Sequence, residues 1–243
     1  MSATAETKVP GLIGFAVHTN VVYYTTMAAT GRDYHYRSLL DTIDVEELAH
    51  HLRSGDTKAF IRQLTDSATR LREGGADFLA ITSNTGHVAA DDLATAVGLP
   101  LLDLRAVIVD ELVRRGARNV GILSTTATRR FALYDTFLAR AQMHVHYPQP
   151  ATAEAIDHVI FEELVSGRTD GTAPAVLTDA RAELRADGCD TILLACTDMT
   201  LIYPSLRADD TVDTTRLHAE AIARQAAYPR SVQLPQTKRG DLR

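Results

Sequence analysis

The sequence predicts an α/β fold of parallel sheets flanked by helices. Short apolar runs alternate with amphipathic stretches of helical period along most of the 243 residues. That alternation is the pattern of βαβ units. The chain also repeats itself. Gly75-Ala76-Asp77 is followed by five residues and Ser83, and Gly188-Cys189-Asp190 by five residues and Cys196. Two similar halves are therefore expected, facing each other with Ser83 and Cys196 in equivalent places.

The elements follow in order. Leu12–Val17 reads as a strand after a glycine turn. From Asp56 to Glu73 the apolar residues Phe60, Leu64, Ala68 and Leu71 share one face of a 3.6-residue period, so a helix is expected. Gly74-Gly75 stops it. Phe78–Thr82 is a buried strand, Asp91–Val97 a short helix, Pro100–Leu104 a strand and Ala106–Arg115 a helix ending at Gly116. Val120–Leu123 is a strand, Arg129–Ala141 a helix, and Val145 sits in a short edge strand. Ala153–Val165 and Ala175–Ala186 are helical, Thr191–Ala195 is a strand, and His218–Ala227 is a last helix. The expected organisation is a flexible N-terminus over 1–10, a first lobe over 11–104, a second lobe over 105–227 and a polar tail over 228–243. Part of the C-terminal helix is expected to join the first lobe.

Composition narrows the function. Hydrophobic residues make up 45% and charged residues 23%, which excludes disorder, collagen and coiled coil as the main architecture. The formal net charge of −6 comes without a basic stripe, so no nucleic-acid partner is expected. The short tail Lys238-Arg239 is the one local exception. Cys189 and Cys196 are too few for a disulfide framework. Met1–Pro10 has no apolar leader region, and no apolar run reaches about 18 residues, so no membrane span is expected. The expected compartment is the cytoplasm, with both thiols reduced. No P-loop, dinucleotide fingerprint or zinc-ligand spacing appears, so neither nucleotide nor metal is expected.

Three predicted strands end in small polar residues: Ser83-Asn84-Thr85, Ser124-Thr125-Thr126 with Thr128 beyond, and Cys196-Thr197-Asp198. Any one of these loops reads as ordinary turn chemistry. Three together, two of them in one register, point to a shared pocket at the carboxyl ends of the strands.

Thr82-Ser83-Asn84-Thr85-Gly86-His87 and Ala195-Cys196-Thr197-Asp198 resemble the two signature segments of the aspartate/glutamate racemase family, usually Cys-Asn-Thr-x-His and Cys-Thr-Glu. Gly121–Thr128, and Ile160–Leu164 followed by Gly167, add to the resemblance, which runs from about Leu12 to Tyr203. It implies two pseudo-symmetric lobes with the active site in the cleft between them, a homodimer and no cofactor. It also implies a small carboxylate or amino-acid substrate, and two facing thiols that exchange a proton with the α-carbon. Carried onto this chain, Cys196 becomes the acid and base on one face, and Ser83 takes the place of the usual second cysteine. An α-proton is a very weak acid, so such a site must hold a carbanion or enediolate with preorganised donors. Asn84, Thr85, Thr126, Thr128 and Thr197 are the candidates, aided by a thiol whose pKa is lowered by nearby donors. His87 is expected to orient its loop or cap the next helix.

Several departures bear on the chemistry. A serine hydroxyl is hardly ionised at neutral pH. Ser83 therefore leaves three readings open: a natural one-thiol variant, a slow or one-sided racemase, or an engineered Cys→Ser change. Two cationic positions of aspartate-specific relatives fall at Glu46/Glu47 and Val165, with Arg168 as a candidate replacement. His18 is a possible donor in an altered N-terminal loop, and Tyr23-Tyr24 reads as packing. The expected function is a cofactor-independent amino-acid racemase or epimerase. The alternatives are a one-thiol relative, such as a malonate-type decarboxylase or isomerase, and a non-catalytic binder of small carboxylates.

Overall fold

The computed structural model describes residues 7–15, 17–30 and 37–227. The expected tail over 228–243 and the first six residues lie outside the described residues. Within the expected flexible N-terminus, Lys8, Val9 and Pro10 are buried.

The first lobe contains β1 (Pro10–Gly14), α1 (Val17–Thr30), β2 (Leu39–Thr42), α2 (Val45–Ser54), α3 (Thr57–Glu73), β3 (Phe78–Ile81) and α4 (Ala90–Val97). Its sheet has the order β2-β1-β3, all parallel. The second lobe contains α5 (Leu104–Arg115), β4 (Asn119–Leu123), α6 (Thr126–Arg130), α7 (Asp135–Arg140), β5 (His144–His146), α8 (Pro150–Glu162) and α9 (Ala173–Ala186). It continues with β6 (Thr191–Leu194), α10 (Tyr203–Leu206), β7 (Thr211–Asp213) and α11 (Thr214–Ala226). Its sheet has the order β5-β4-β6-β7, again all parallel. The alternation in the sequence thus becomes the parallel α/β fold it predicts.

Successive strand residues face opposite sides, and both sides are covered. In the first lobe Ile13, Leu79 and Ile81 pack with Phe60, Leu64 and Ala68 of α3 and Leu93 of α4. Leu12, Phe78 and Ala80 pack on the other side with Tyr23 and Met27 of α1 and with Ala219, Ile222 and Ala223 of α11. The last described helix therefore completes the core of the first lobe. In the second lobe Ile192 and Leu194 face α8 and α9, while Val120, Ile122 and Leu193 face α5 and α7.

The internal repeat has a physical basis. Gly75 and Gly188 both take left-handed backbone, φ 91° and 87°, which glycine adopts without strain. Each lets the chain turn from a helix into a strand. The aspartate two residues on then clamps the neighbouring strand. Asp77 Oδ2 accepts from the Val9 amide at 2.6 Å, and Asp190 Oδ2 accepts from the Arg118 and Asn119 amides, both at 2.8 Å. Leu71 and Leu184 hold equivalent places and press on Gly11 and Gly121, where a Cβ would lie 3.2 and 3.1 Å from their own Cβ atoms. The same register brings Ser83 and Cys196 to the carboxyl ends of β3 and β6.

Five expected elements differ, the last helix among them: drawn over His218–Ala227, it begins at Thr214, capped by Asp213, and ends at Ala226. The strand drawn over Leu12–Val17 ends at Gly14, and the chain is helical from Val17. The strand drawn over Pro100–Leu104 is a single bridge from Leu101 to Leu79. Asp103 caps α5 there by accepting from the Arg105 amide. The helix drawn over Arg129–Ala141 is broken into α6 and α7, because Ala132 takes φ 47°. The helix drawn over Ala153–Val165 begins at Pro150 and ends at Glu162. The carboxylate of Glu163 instead caps α9 through Thr172 and Ala173. The elements α1, β2, α2, α10 and β7 have no counterpart in the sequence reading.

Candidate active site

Beyond β3 the chain tightens into a 3₁₀ turn over Thr85–Ala89. Ser83 is half-buried, and its Oγ accepts from the Gly86 amide at 3.2 Å. Asn84 is buried. Its Oδ1 accepts from the Tyr134 hydroxyl and lies 3.3 Å from Thr214 Oγ1. Its Nδ2 is buried with no partner among the described residues. Thr85 Oγ1 meets Thr128 Oγ1 at 3.2 Å, and Thr128 Oγ1 lies 3.4 Å from Thr125 Oγ1. Residues of the first lobe thus join the second through hydroxyls on both sides of the turn.

His87 is a strut. The Leu104 amide donates to its Nε2 at 3.1 Å, so Nδ1 carries the proton and donates to the Ser83 carbonyl at 2.7 Å. Burial is the chief cause that holds its pKa below the ordinary value. Both ring nitrogens are committed, and neither bonds the Ser83 hydroxyl. The expectation that His87 orients its loop agrees with this geometry.

Gly86 has no room for a side chain. A Cβ there would lie 2.6 Å from Ile81 Cγ2 and 2.9 Å from Phe15 Cζ. Gly86→Ala is expected to destabilise the fold by about 1–3 kcal/mol and to shift the Ser83-Asn84-Thr85 turn. A urea melt measures the first effect. An unchanged midpoint would show that the turn gives way freely.

Cys196 closes β6 and opens a second 3₁₀ turn, Thr197–Ile202. It is 9% exposed, and its Sγ donates to Asp198 Oδ2 at 3.6 Å. Burial, then the Asp198 charge, push the thiol well above its ordinary pKa, against the pull of the Asp198 and Met199 amides. The expectation of a lowered thiol pKa is therefore reversed: the resting sulfur is protonated. The turn is tied down by Thr200, whose hydroxyl donates to Asp213 Oδ2 at 2.6 Å. Asp213 also caps α11 through the Thr215 and Arg216 amides.

The other predicted residues divide. Thr197 is half-buried, at the start of the Cys196 turn. Thr128 is buried and turned inward. Thr126 is exposed, and its amide donates to Asp157. Arg168 is exposed, with its guanidinium on the Glu162 carbonyl at 2.7 Å. Val165 is exposed, and Glu46 and Glu47 stand exposed on the first turn of α2, where Asp44 caps their amides. Tyr23 is packed as expected, its hydroxyl 3.0 Å from His218 Nδ1. The side chain of His18 lies outside the described residues. Tyr134, Thr214 and His218 escaped the sequence reading.

Among the described residues no group of three or more His, Cys, Asp or Glu side chains is arranged to hold a metal. A groove of about 650 Å³ beside β7 is lined by Arg114, Arg115, Arg207, Arg216 and Arg224. All but Arg207 pair with Glu111, Asp213 or Glu220 around them.

A family profile described as Asp/Glu/Hydantoin racemase matches residues 12–222. A glutamate racemase from Pseudomonas entomophila (strain L48) is 31% identical over 156 residues, covering 60% of this chain and 55% of that protein. A broad specificity amino-acid racemase from Bacillus subtilis (strain 168) is 24% identical over 149 residues, 61% of this chain and 63% of that protein. The matched part thus spans less than two thirds of these curated relatives. The crystal structure of a protein from Yersinia pestis assigned to the Asp/Glu racemases is 29% identical, with a TM-score of 0.79 over 90% of this chain and 99% of that one. Family profile, relatives and two-lobed fold agree with the motifs around Ser83 and Cys196, and the chain belongs to the Asp/Glu/hydantoin racemase family.

Proposed function

We propose that this protein is an isomerase that moves a proton at the carbon α to the carboxylate of a small amino acid, as a racemase or epimerase that uses no cofactor. The observation that carries the reading is the Cys196–Asp198 pair at the end of β6, in register with the Ser83 turn. Asp198 takes the thiol proton, and the thiolate then removes the α-hydrogen. The electron pair stays on the carbon and spreads into the carboxylate. A proton from solvent on the Ser83 face completes inversion, and Asp198 returns its proton to solvent, restoring the resting thiol–carboxylate pair. In the other direction the neutral thiol supplies the proton and is left as thiolate, beside the Asp198 and Met199 amides. The unpartnered Asn84 Nδ2 and the Thr197 hydroxyl supply donors for the growing charge.

The two faces are unequal. Among the described residues, the Gly86 amide is the hydrogen-bond partner of Ser83 Oγ, and His87 has no free nitrogen to activate it. Ser83 therefore acts as a neutral donor. This favours a second reading, one-thiol chemistry on a malonate-like acid. There the carbanion forms when the bond to carbon dioxide breaks, and Cys196 alone protonates it. The exposed Arg168, bound to a backbone carbonyl, supports a substrate with a neutral or larger side chain. An aspartate side chain desolvated without a cation would cost several kcal/mol.

Incubation in deuterium oxide with a panel of amino acids and substituted malonates tests both readings. The expected result is slow α-deuteration of an amino acid, with Ser83→Cys raising exchange from both L and D forms at least tenfold. Release of carbon dioxide with a single deuterium incorporated would favour the one-thiol reading. Neither process, with ligand-dependent thermal stabilisation retained, would leave a binder. Aspartate ranking first by kcat/KM would overturn the pocket reading.

A further inference from the structure

The linker between α6 and α7 does more than join two helices. The left-handed Ala132 breaks what would be one helix and turns Tyr134 toward the other lobe. Tyr134 is fully buried, and its hydroxyl donates to Asn84 Oδ1. Thr214 Oγ1 stands against the same oxygen at 3.3 Å and donates to the Leu194 carbonyl at 2.8 Å. Leu194 lies two residues before Cys196. The amide oxygen thus takes the Tyr134 proton, with the Thr214 hydroxyl packed beside it and its one proton directed mainly at the nearer Leu194 carbonyl, and the amide nitrogen is left buried and unpartnered.

A primary amide has a donor end and an acceptor end of almost equal shape, so shape alone does not choose between them. The buried Tyr134 hydroxyl has one proton to place, and Asn84 Oδ1 is its acceptor among the described residues. With the amide flipped, the hydroxyl could accept from Nδ2 but its own proton would be left buried without an acceptor, so the orientation with oxygen toward Tyr134 is favoured.

We infer that Tyr134 is a positioning residue that holds the Asn84 amide in one orientation, so that Nδ2 faces the cleft as a donor for the substrate's carboxylate. This rests on the proton-transfer reading above. A flipped amide would set its carbonyl oxygen against the carboxylate and repel it. The same contacts tie the Ser83 turn to the strand that carries Cys196, so one clamp sets both the donor and the spacing of the two faces.

Tyr134→Phe, Asn84→Ala and the double variant form a cycle. For the amino acid found to exchange its α-hydrogen, Tyr134→Phe is expected to raise KM about tenfold or more while kcat changes less than threefold. The double variant is expected to be no worse in KM than Asn84→Ala alone, because Tyr134 acts through Asn84. A Tyr134 hydroxyl that acts independently of Asn84 would add its loss in full on top of Asn84→Ala, and that result would overturn the inference. Unchanged KM in Tyr134→Phe would also overturn it. Urea midpoints of the same variants are measured without substrate. Non-additive midpoints alongside a wild-type protein that exchanges no amino acid would refute the proton-transfer reading, and the positioning role with it. Additive midpoints would refute the hydroxyl–amide clamp itself.

Discussion

Cys196→Ala is expected to lower kcat/KM on the true substrate by about a thousandfold or more, the scale of a lost general acid–base group. The fold should survive, since the side chain shortens by a single atom at the edge of the cluster around Leu194, Met199 and Ile202. The measurement is initial rate against substrate, with the melting temperature as control. Rates near wild type in a folded variant would remove Cys196 from the chemistry. Asp198→Asn refines the test. A negative neighbour raises a thiol pKa, so removing the charge lowers it. The thiol limb of the pH–rate profile is expected to move to lower pH. The rate itself should fall, because the acceptor of the thiol proton has gone.

The second large effect is on stability against pH. His218 is fully buried, with its pKa pushed down to about 3, chiefly by burial and then by His87. His87 is also lowered, chiefly by burial. In the unfolded chain both titrate near pH 6.5. Below that value the unfolded chain binds protons that the folded protein refuses. For His218 stability is therefore fully present above about pH 6.5 and is lost as pH falls toward 3, by up to about 1.4 kcal/mol per pH unit, and His87 acts in the same direction. Asp213, raised chiefly by burial, acts in the opposite sense at the acid end of this window. His218→Gln isolates the histidine. Glutamine can keep a donor for the Leu102 carbonyl and an acceptor for the Tyr23 hydroxyl, the two bonds His218 makes, yet cannot titrate. Urea midpoints between pH 5 and 7 are expected to fall steeply in the wild type and less steeply in His218→Gln. Equal slopes would show that His218 accepts its proton inside the fold.

The parts of the fold legible in the sequence were those whose pattern is local. The apolar runs at Phe78–Ile81 and Thr191–Leu194 are covered on both faces, and α3 shows one apolar face because its other side meets water. Helix α1 was illegible for the opposite reason. It shares one side of the first sheet with α11, and Val17–Thr30 carries no Asp, Glu, Lys or Arg to mark its solvent face. Strand β7 has three residues, too few for a pattern. The site divides in the same way. Ser83 and Cys196 stood in register because a left-handed glycine and a clamping aspartate precede each of them. Tyr134 and Thr214 meet Asn84 across 50 and 130 residues of chain, and no local spacing announces such partners. Within the threonine run, Thr125 caps α6, Thr128 turns inward and Thr126 faces water. That division follows from the helical turn the run begins, which composition alone does not show.

The placement of α11 on the first sheet has a consequence in time. The ribosome makes β1, α1 and β3 early, but Ala219, Ile222 and Ala223, which cover Leu12, Phe78 and Ala80, come last among the described residues. At roughly 5–20 residues per second, about ten seconds of synthesis separate the end of α4 from the end of α11. Through that interval Tyr23 has no His218 to receive its hydroxyl, and one side of the first sheet has only α1 upon it. The lobe begun first thus waits on α11, and the nascent chain carries an apolar face until that helix has been made.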